Sequence, residues 1–280
     1  MGKIALVTDS TADLTEEMKK ELNVHVIPLK VRFAEQEFKD GELTAEGFYT
    51  RLANCKRLPT TSQPSPEDFI SLYRKLFEDY DEIISIHLSS GLSGTLNSAY
   101  LAKEKLKQKI HIIDSKNISL GIGILVKEAA KLLKEGLASS KLLEKLTATR
   151  KNIETLFTLN TLEYLHKGGR IGKVPNLLGS LLNIKPIVRV NEEGIYVPQG
   201  IARSQERALK SIVNAFHDLA KGRKPSSIFV AHGAAFQAGL KLKEALEEAF
   251  QLKVTTFTQV GPVIGVHTGP GTVGAAIHFE

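Results

Sequence analysis

Asp81-Glu82-Ile83-Ile84-Ser85-Ile86-His87-Leu88 runs directly into Ser89-Ser90-Gly91-Leu92-Ser93-Gly94-Thr95, and a helical pattern follows from Leu96 to Lys107. The order reads as strand, small hydroxyl-rich turn and helix start. A helix start carries about half a unit of positive charge and about four unpaired backbone N–H groups, so small residues there let an anion approach the backbone closely. The stretch therefore reads as a site for a carboxylate or a phosphate. It fits neither G-x-x-x-x-G-K-[ST] nor G-x-G-x-x-G, and it lacks the lysine that a nucleotide-binding loop places on phosphates. That argues against a nucleotide.

Working outward, the first half alternates strand and helix. Lys3 to Val7 is a short apolar strand, Asp13-Leu-Thr-Glu16 resembles a capping box opening a helix that ends near Leu22, and His25 to Phe33 reads extended. Ser65-Pro66-Glu67-Asp68 is a second helix start, with a hydroxyl at N-cap, proline at N1 and an acid at N3. Strand 82–88, helix 94–107, strand 110–113 and helix 121–135 follow. This βαβα order predicts a parallel, doubly wound sheet with helices on both faces. In such sheets ligands bind outside the carboxyl ends of the strands. Three predicted strands end in small polar clusters, Thr8-Asp9-Ser10, Ser89-Ser90 and Asp114-Ser115. The hydroxyl-rich loop Thr60-Thr61-Ser62-Gln63-Pro64 could close over the same place.

The character changes near residue 150, where a charged helix (139–151) gives way to a strand-like 155–160, and a domain boundary is expected there. Residues 185–190 and 195–202, separated by Asn191-Glu-Glu-Gly194, read as a β-hairpin. A helix at 204–221, a strand at 227–232, a helix at 237–250 and strands at 253–258 and 273–279 complete a mixed α+β half. Gly-rich loops are expected at 167–170 and 261–274. The fold class is thus α/β in two domains, 1–150 and 151–280, the second mixed.

The 280-residue chain is 42% apolar and 24% charged, the balance of a globular protein. Its longest apolar run, Ile118 to Val126, is broken by Gly121 and Gly123 and is less than half of the roughly 20 residues a bilayer span needs. The first residues carry no secretory h-region or cleavage site, and the single cysteine, Cys55, fits a reducing cytoplasm. The net charge of +6 would suit nucleic acid or an anionic surface, but the lysines are spread over most predicted helices, as on a solvated face. No helix-turn-helix is evident, and no nucleic-acid partner is expected.

No metal constellation is expected, because the eight histidines lack H-E-x-x-H or i, i+4 pairing and one cysteine cannot form a thiolate cluster. Gly91-Leu92-Ser93-Gly94 misses the G-x-S-x-G nucleophile elbow by one residue. Ser93 reads either as a ligand contact or as a simple N-cap; Ser89, Ser90 and Thr95 crowd the same turn beyond what one cap requires. Thr61 and Ser62 contact a ligand or merely form a turn. His267 lies in a glycine-rich segment whose backbone can approach something closely, or it is a solvent-facing loop histidine. Lys167-Gly168-Gly169-Arg170 is a helix C-cap with surface charge or a docking patch.

Together, Thr8-Asp-Ser-Thr-Ala-Asp13, Thr60-Thr-Ser-Gln-Pro-Ser-Pro66, Ser89-Ser-Gly-Leu-Ser-Gly-Thr95, Leu165-His-Lys-Gly-Gly-Arg-Ile171, Leu182-Asn-Ile-Lys-Pro-Ile187 and Gly261-Pro-Val-Ile-Gly-Val-His-Thr-Gly-Pro-Gly271 resemble the DegV family, fatty-acid-binding proteins of bacterial fatty acid kinase systems. Each motif alone is weak; six in this order span nearly the whole chain. The resemblance implies a two-domain α/β protein that binds one long-chain fatty acid between its domains, with no cofactor and no catalysis of its own. Residues 1–150 would hold the carboxylate and 151–280 would cover the acyl chain. A separate ATP-dependent kinase related to dihydroxyacetone kinases would phosphorylate the bound acid for phospholipid synthesis. Carried over by position, Thr61 and Ser93 would hydrogen-bond the carboxylate, with His267 nearby and Ser62, Gly94 and Thr268 around them. Arg170 would engage the kinase, with Lys167 and Arg203 as further docking candidates. Apolar Leu177, Leu181, Ile184 and Ile187 are candidates to line the acyl chain, or an ordinary helix core. The alternatives are a serine-dependent acyl hydrolase and a small-molecule phosphotransferase subunit.

Overall fold

The computed structural model describes residues 2–34, 36–174 and 184–280. Strand β1 (Ile4–Asp9) leads through a 3-10 turn (Ser10–Ala12) into helix α1 (Glu16–Glu21) and strands β2 (Val24–Ile27), β3 (Lys30–Phe33) and β4 (Gln36–Lys39). Helix α2 (Ala45–Asn54), β5 (Thr60–Ser62), α3 (Pro66–Leu76), β6 (Glu82–His87), α4 (Thr95–Leu106) and β7 (Ile110–Asp114) follow. Helices α5 (Leu120–Lys134) and α6 (Ser139–Arg150) precede β8 (Ile153–Thr158), the short α7 (Glu163–Lys167), β9 (Lys185–Val190) and β10 (Tyr196–Ala202). The chain closes with α8 (Gln205–Ala220), β11 (Pro225–His232), α9 (Phe236–Phe250), β12 (Thr256–Gln259), α10 (Pro262–Thr268) and β13 (Val273–Phe279).

The first sheet is parallel, in the order β2-β1-β6-β7, with Leu6 of β1 opposite both Val24 and Ile84. Its strands are buried on both sides and read as apolar runs, as parallel sheets do. On one face Ala5, Val7 and Ile83 pack with Phe69 and Tyr73 of α3 and Ala99 and Ala102 of α4. On the other, Leu6, Ile84 and Ile86 meet Ile122, Leu125, Val126 and Ala129 of α5. The second sheet has six strands in the order β10-β9-β8-β13-β11-β12, antiparallel except for β11–β12. Its Phe229, Ala231 and Ala276 reach the opposite side of α5, while its outer face packs on α8 and α9. Helix α5 is therefore sandwiched between the sheets, which is why its first turns, Leu120 to Val126, are apolar all round. A side chain at Gly123 would stand 3.2 Å from the Ala12 carbonyl, so glycine lets α5 pack closely on the 3-10 turn after β1.

A third, three-stranded sheet, β4-β3-β5, joins Thr61 to Val31 and, through Leu29 and Val31, packs against α2 and α10. The extended reading of 25–33 covers β2 and the central β3, but β4 and β5 are too short to show a period, and β5, with three residues, reads as a loop. The N-terminal capping differs as well: Thr15, not Asp13, caps α1, its side chain accepting from the Met18 N–H, and Asp13 adopts a left-handed turn at φ 48°. The box at Ser65 forms as its sequence predicts, with Ser65 and Asp68 capping each other. The segment 261–274 is not all loop. Pro262 starts α10, and Val263 and Val266 bury against Phe48, Tyr49 and Leu52 of α2.

Candidate functional site

The order β2-β1-β6-β7 reverses direction between β1 and β6, so their carboxyl ends open a crevice where neighbouring loops diverge. There Leu88, Leu92 and Ser93 follow β6, Leu29 precedes β3, and Thr61 comes from β5. Together with Ile118, Arg170, Tyr196, Val263, Ile264 and His267 they line one cavity of about 40 Å³. Strand alternation explains why Thr61 alone of its loop faces it: Thr60 and Ser62, one residue either side, are exposed.

Thr61 Oγ1 and His267 Nε2 lie 2.8 Å apart. Burial first, and then the charge of Arg170, push the His267 imidazole down to about 4, so the ring is neutral at pH 7. Its buried Nδ1 has no partner among the described residues and abuts Gly168, where any side chain would collide with the ring. Arg170, largely exposed, donates from Nη1 to the Gly168 carbonyl at 2.8 Å while lining the cavity. Ser93, one residue before the N-cap of α4, lines the cavity, and its Oγ accepts from the Thr95 N–H at 3.3 Å and lies 2.9 Å from Thr95 Oγ1. Gly94 is the N-cap of α4 and supplies no side chain; the space a Cβ would take belongs to the amide of Gln63, which donates to Ser98.

A second, mostly apolar cavity of about 30 Å³ lies deeper, between α5 and the six-stranded sheet. Leu120, Leu156, Phe157, Ala231, Val260 and Ala275 contribute to it, and Ile118 and Ile264 line both cavities. Thr268 belongs to this inner cavity, its hydroxyl donating to the Ile264 carbonyl at 3.1 Å. Of the apolar candidates at 177–187, Leu177 and Leu181 lie outside the described residues. Ile184 is half-buried and lines neither cavity, and Ile187 packs with the outer-face cluster of α8 and α9. Lys167 pairs with Glu163 at 2.5 Å, and Arg203 is exposed between β10 and α8.

Two carboxylates anchor the start of α10. Asp13 accepts from the Gly261 N–H at 2.9 Å and from the Ser119 hydroxyl; Asp40 accepts from Ser10 and from the Val263 N–H. Burial is the largest influence on both, pushing Asp13 up to about 7 and Asp40 up to about 6. A raised folded-state value means that the stability Asp13 contributes is full below about pH 4 and lost as pH rises through about 7. Asp13→Asn removes that loss and keeps an acceptor for Gly261. Its stability relative to the native chain is expected to rise across this window, by on the order of 1–3 kcal/mol at pH 8. His267 titrates in both proteins and cancels in the difference. Urea midpoints at pH 4.5 and 8 check this, and a pH-independent difference would contradict it.

Ser85, His87 and Asp9 form a chain of contacts like a hydrolytic triad: Ser85 Oγ to His87 Nε2 at 2.7 Å and His87 Nδ1 to Asp9 at 3.0 Å. All three are 0% exposed, and Ser85 Oγ already accepts from the Tyr73 hydroxyl at 2.8 Å. The set works as a polar strut: Asp9 also accepts from the Leu88 N–H and fixes the end of β6 from which Leu88 enters the cavity. Ser93 meets Thr95 rather than an imidazole. Among the described residues no group of three or more His, Cys, Asp or Glu side chains is placed to hold a metal, and no helix is long and apolar enough to cross a membrane.

This architecture has close counterparts. A DegV family protein from Thermus thermophilus, described with fatty acid binding, superposes with a TM-score of 0.93 at 36% identity, over 99% of this chain and 100% of that one. DegV of Bacillus subtilis, described as a fatty acid binding protein, superposes at 0.90 with 32% identity over the whole of both chains. A stearic acid-binding protein from Eubacterium ventriosum superposes at 0.90 with 28% identity, covering 99% and 98% of the two chains. In sequence, a DegV domain-containing protein of Clostridium acetobutylicum is 37% identical over 280 residues, 99% of each chain. A family model described as "Uncharacterised protein, DegV family" matches residues 3–280. With sequence and fold in agreement from end to end, the chain belongs to the DegV family.

Proposed function

We propose that this protein binds a long-chain fatty acid, its carboxylate in the outer cavity and its tail in the apolar space behind, and presents the head group to a separate ATP-dependent kinase that forms an acyl phosphate. The observation that carries the reading is that a cavity with polar groups and an apolar cavity lie back to back, sharing Ile118 and Ile264. Thr61, Ser93 and His267 bring polar groups from three separate segments into one small, otherwise largely apolar pocket with Arg170 exposed in its wall, and Ile118 and Ile264 stand between it and a second apolar cavity. Polar groups in front of an apolar interior match the two halves of a fatty acid, and the inner cavity of about 30 Å³ must widen many-fold to take a long tail. The fatty acids described for its relatives in Thermus thermophilus and Bacillus subtilis support the same ligand.

The chemistry of the pocket favours a carboxylate. A neutral His267 has one N–H; placed on Nε2 it donates to Thr61 Oγ1, leaving Nδ1 as an unpaired acceptor, which is less costly in a protein interior than an unpaired N–H. The Thr61 O–H is then free to donate outward. With the Ser93 hydroxyl and the start of α4 it holds an ionised head group through neutral donors. Each buried CH2 contributes about 0.8 kcal/mol, so the tail supplies most of the affinity and the head supplies orientation. No metal or organic cofactor is needed for binding alone.

The kinase half rests on the mouth of the pocket, where Arg170 is exposed, with Lys167 three residues before it and the exposed Arg203 as further docking candidates. Incubation with ATP and fatty acid is expected to give acyl phosphate only when a kinase related to dihydroxyacetone kinases is added; turnover by this chain alone would overturn the reading. Arg170→Ala is expected to cut kinase-dependent product at least about tenfold at saturating lipid, the loss of one charge-assisted contact, while changing loading far less. Equal losses in both would assign Arg170 to the pocket rather than to docking.

A further inference from the structure

The third polar strand end, Asp114-Ser115, does not belong to the lipid pocket. It borders a separate cleft of about 270 Å³ lined by Lys116 and Asn117 after β7, Arg150 and Lys151 at the end of α6, Ile153 and Glu154 of β8, and Arg189 to Glu192 of β9 and its turn. Four cationic side chains face two carboxylates. Arg189 binds Glu154 through Nε at 3.0 Å and Nη2 at 2.9 Å, and Lys116 binds Asp114 at 2.9 Å and the Ser90 hydroxyl at 3.0 Å. Arg150 and Lys151 are different. Arg150 uses one N–H, donating from Nη1 to the Asp114 carbonyl at 2.7 Å rather than to the end of its own helix, and Lys151 has no ion-pair partner among the described residues.

The two amides are oriented alike. Asn117 Oδ1 accepts from the Ile118 N–H and the Thr155 hydroxyl, and Asn191 Oδ1 accepts from the Ile195 N–H. The Asn117 NH2 has no acceptor among the described residues, whereas the Asn191 side chain is hydrogen-bonded to the Glu193 carboxylate. The cleft therefore offers amide, guanidinium and ammonium donors and holds one exposed acid, Glu192, outside the ion pairs. A surplus of donors around an open cleft matches an oxyanion with several acceptor oxygens and more than one negative charge.

We propose that this cleft binds a phosphate group, as inorganic phosphate or as the phosphomonoester of a small metabolite. The site is independent of the lipid reading, although the two share a wall: Lys116 and Asn117 line the cleft, and Ile118 lines both lipid cavities. Lys116 also holds Ser90 beside the Ser89–Ser93 turn, so an anion that draws Lys116 away acts on the turn that carries Ser93.

The test is calorimetric titration of the full chain with inorganic phosphate and, separately, glycerol 2-phosphate, repeated in Thr61→Val/Ser93→Ala, which lacks both head-group hydroxyls, so that the lipid pocket does not contribute. Saturable binding is expected in both backgrounds, with affinity falling about tenfold in Arg150→Gln and in Lys151→Gln, the loss of one charge-assisted hydrogen bond in each. Should Arg150→Gln lower thermal stability through its lost Asp114 contact, the exposed Lys151→Gln carries the test alone. Tighter binding of glycerol 2-phosphate supports a phosphomonoester as the ligand, and equal affinity supports free phosphate. No saturable binding below about 10 mM, or affinities unchanged in Lys151→Gln, would overturn the proposal.

Discussion

Ile264→Phe is expected to lose retention of a fatty acid of about sixteen carbons while binding one of about eight nearly as well as the native chain. Ile264 lines both the head-group cavity and the inner apolar one, so on the proposed path of the tail a larger ring there stands between head and tail. Excluding about eight methylenes at about 0.8 kcal/mol each removes on the order of 6 kcal/mol of gross burial, far more than any single hydrogen bond at the head group. Overpacking adds its own cost of about 1–3 kcal/mol to the fold, and Ile264 is 7% exposed, so thermal midpoints must accompany the binding data. The decisive quantity is the ratio of long- to short-chain affinity, which a general loss of stability does not change. An unchanged ratio would mean that the tail does not pass Ile264.

Gly168→Ala should produce the second largest effect, and through geometry alone. Gly168 has φ −75°, a conformation alanine adopts freely, so its backbone is not the reason for glycine. Its Cβ would collide with His267 Nδ1 and stand 2.9 Å from the Tyr164 carbonyl. The ring must then move off Thr61, which loses the contact that fixes the direction of its hydroxyl. Fatty acid affinity is expected to fall about tenfold, equivalent to about 1.4 kcal/mol, with cooperative unfolding retained. Competition with a fluorescent fatty acid reads the affinity. Unaltered binding would remove His267 from the head-group site.

Where the sequence was legible, local chemistry decided the structure. The β6–turn–α4 unit, the Ser65–Asp68 box and the β9–β10 hairpin all formed because caps, alternation and turn residues act within a few positions. Elements held by distant partners were hidden. Three residues of β5 gain strand geometry only by pairing with β3, and α10 is a helix of seven residues inside a run of glycines, stabilised by α2 and by the carboxylates of Asp13 and Asp40. The same division runs through the site. Hydroxyls at Thr61 and Ser93 announce themselves as motif residues, and His267 stands out among glycines. The shared wall could not be read in advance, because Ile118 and Ile264 look like ordinary core residues until the loop before α5 and helix α10 bring them together. Arg170 reads as surface charge, and only the fold of the loop after α7 puts it in the cavity wall while leaving it exposed.

The most direct test of the account is to denature the purified protein and identify the released small molecules by mass spectrometry. Gross burial on the order of 10 kcal/mol for a tail of about sixteen carbons should carry the ligand through purification. The account predicts a long-chain fatty acid in near-stoichiometric amount; a protein that releases no lipid, or releases a small polar ligand in its place, would contradict it.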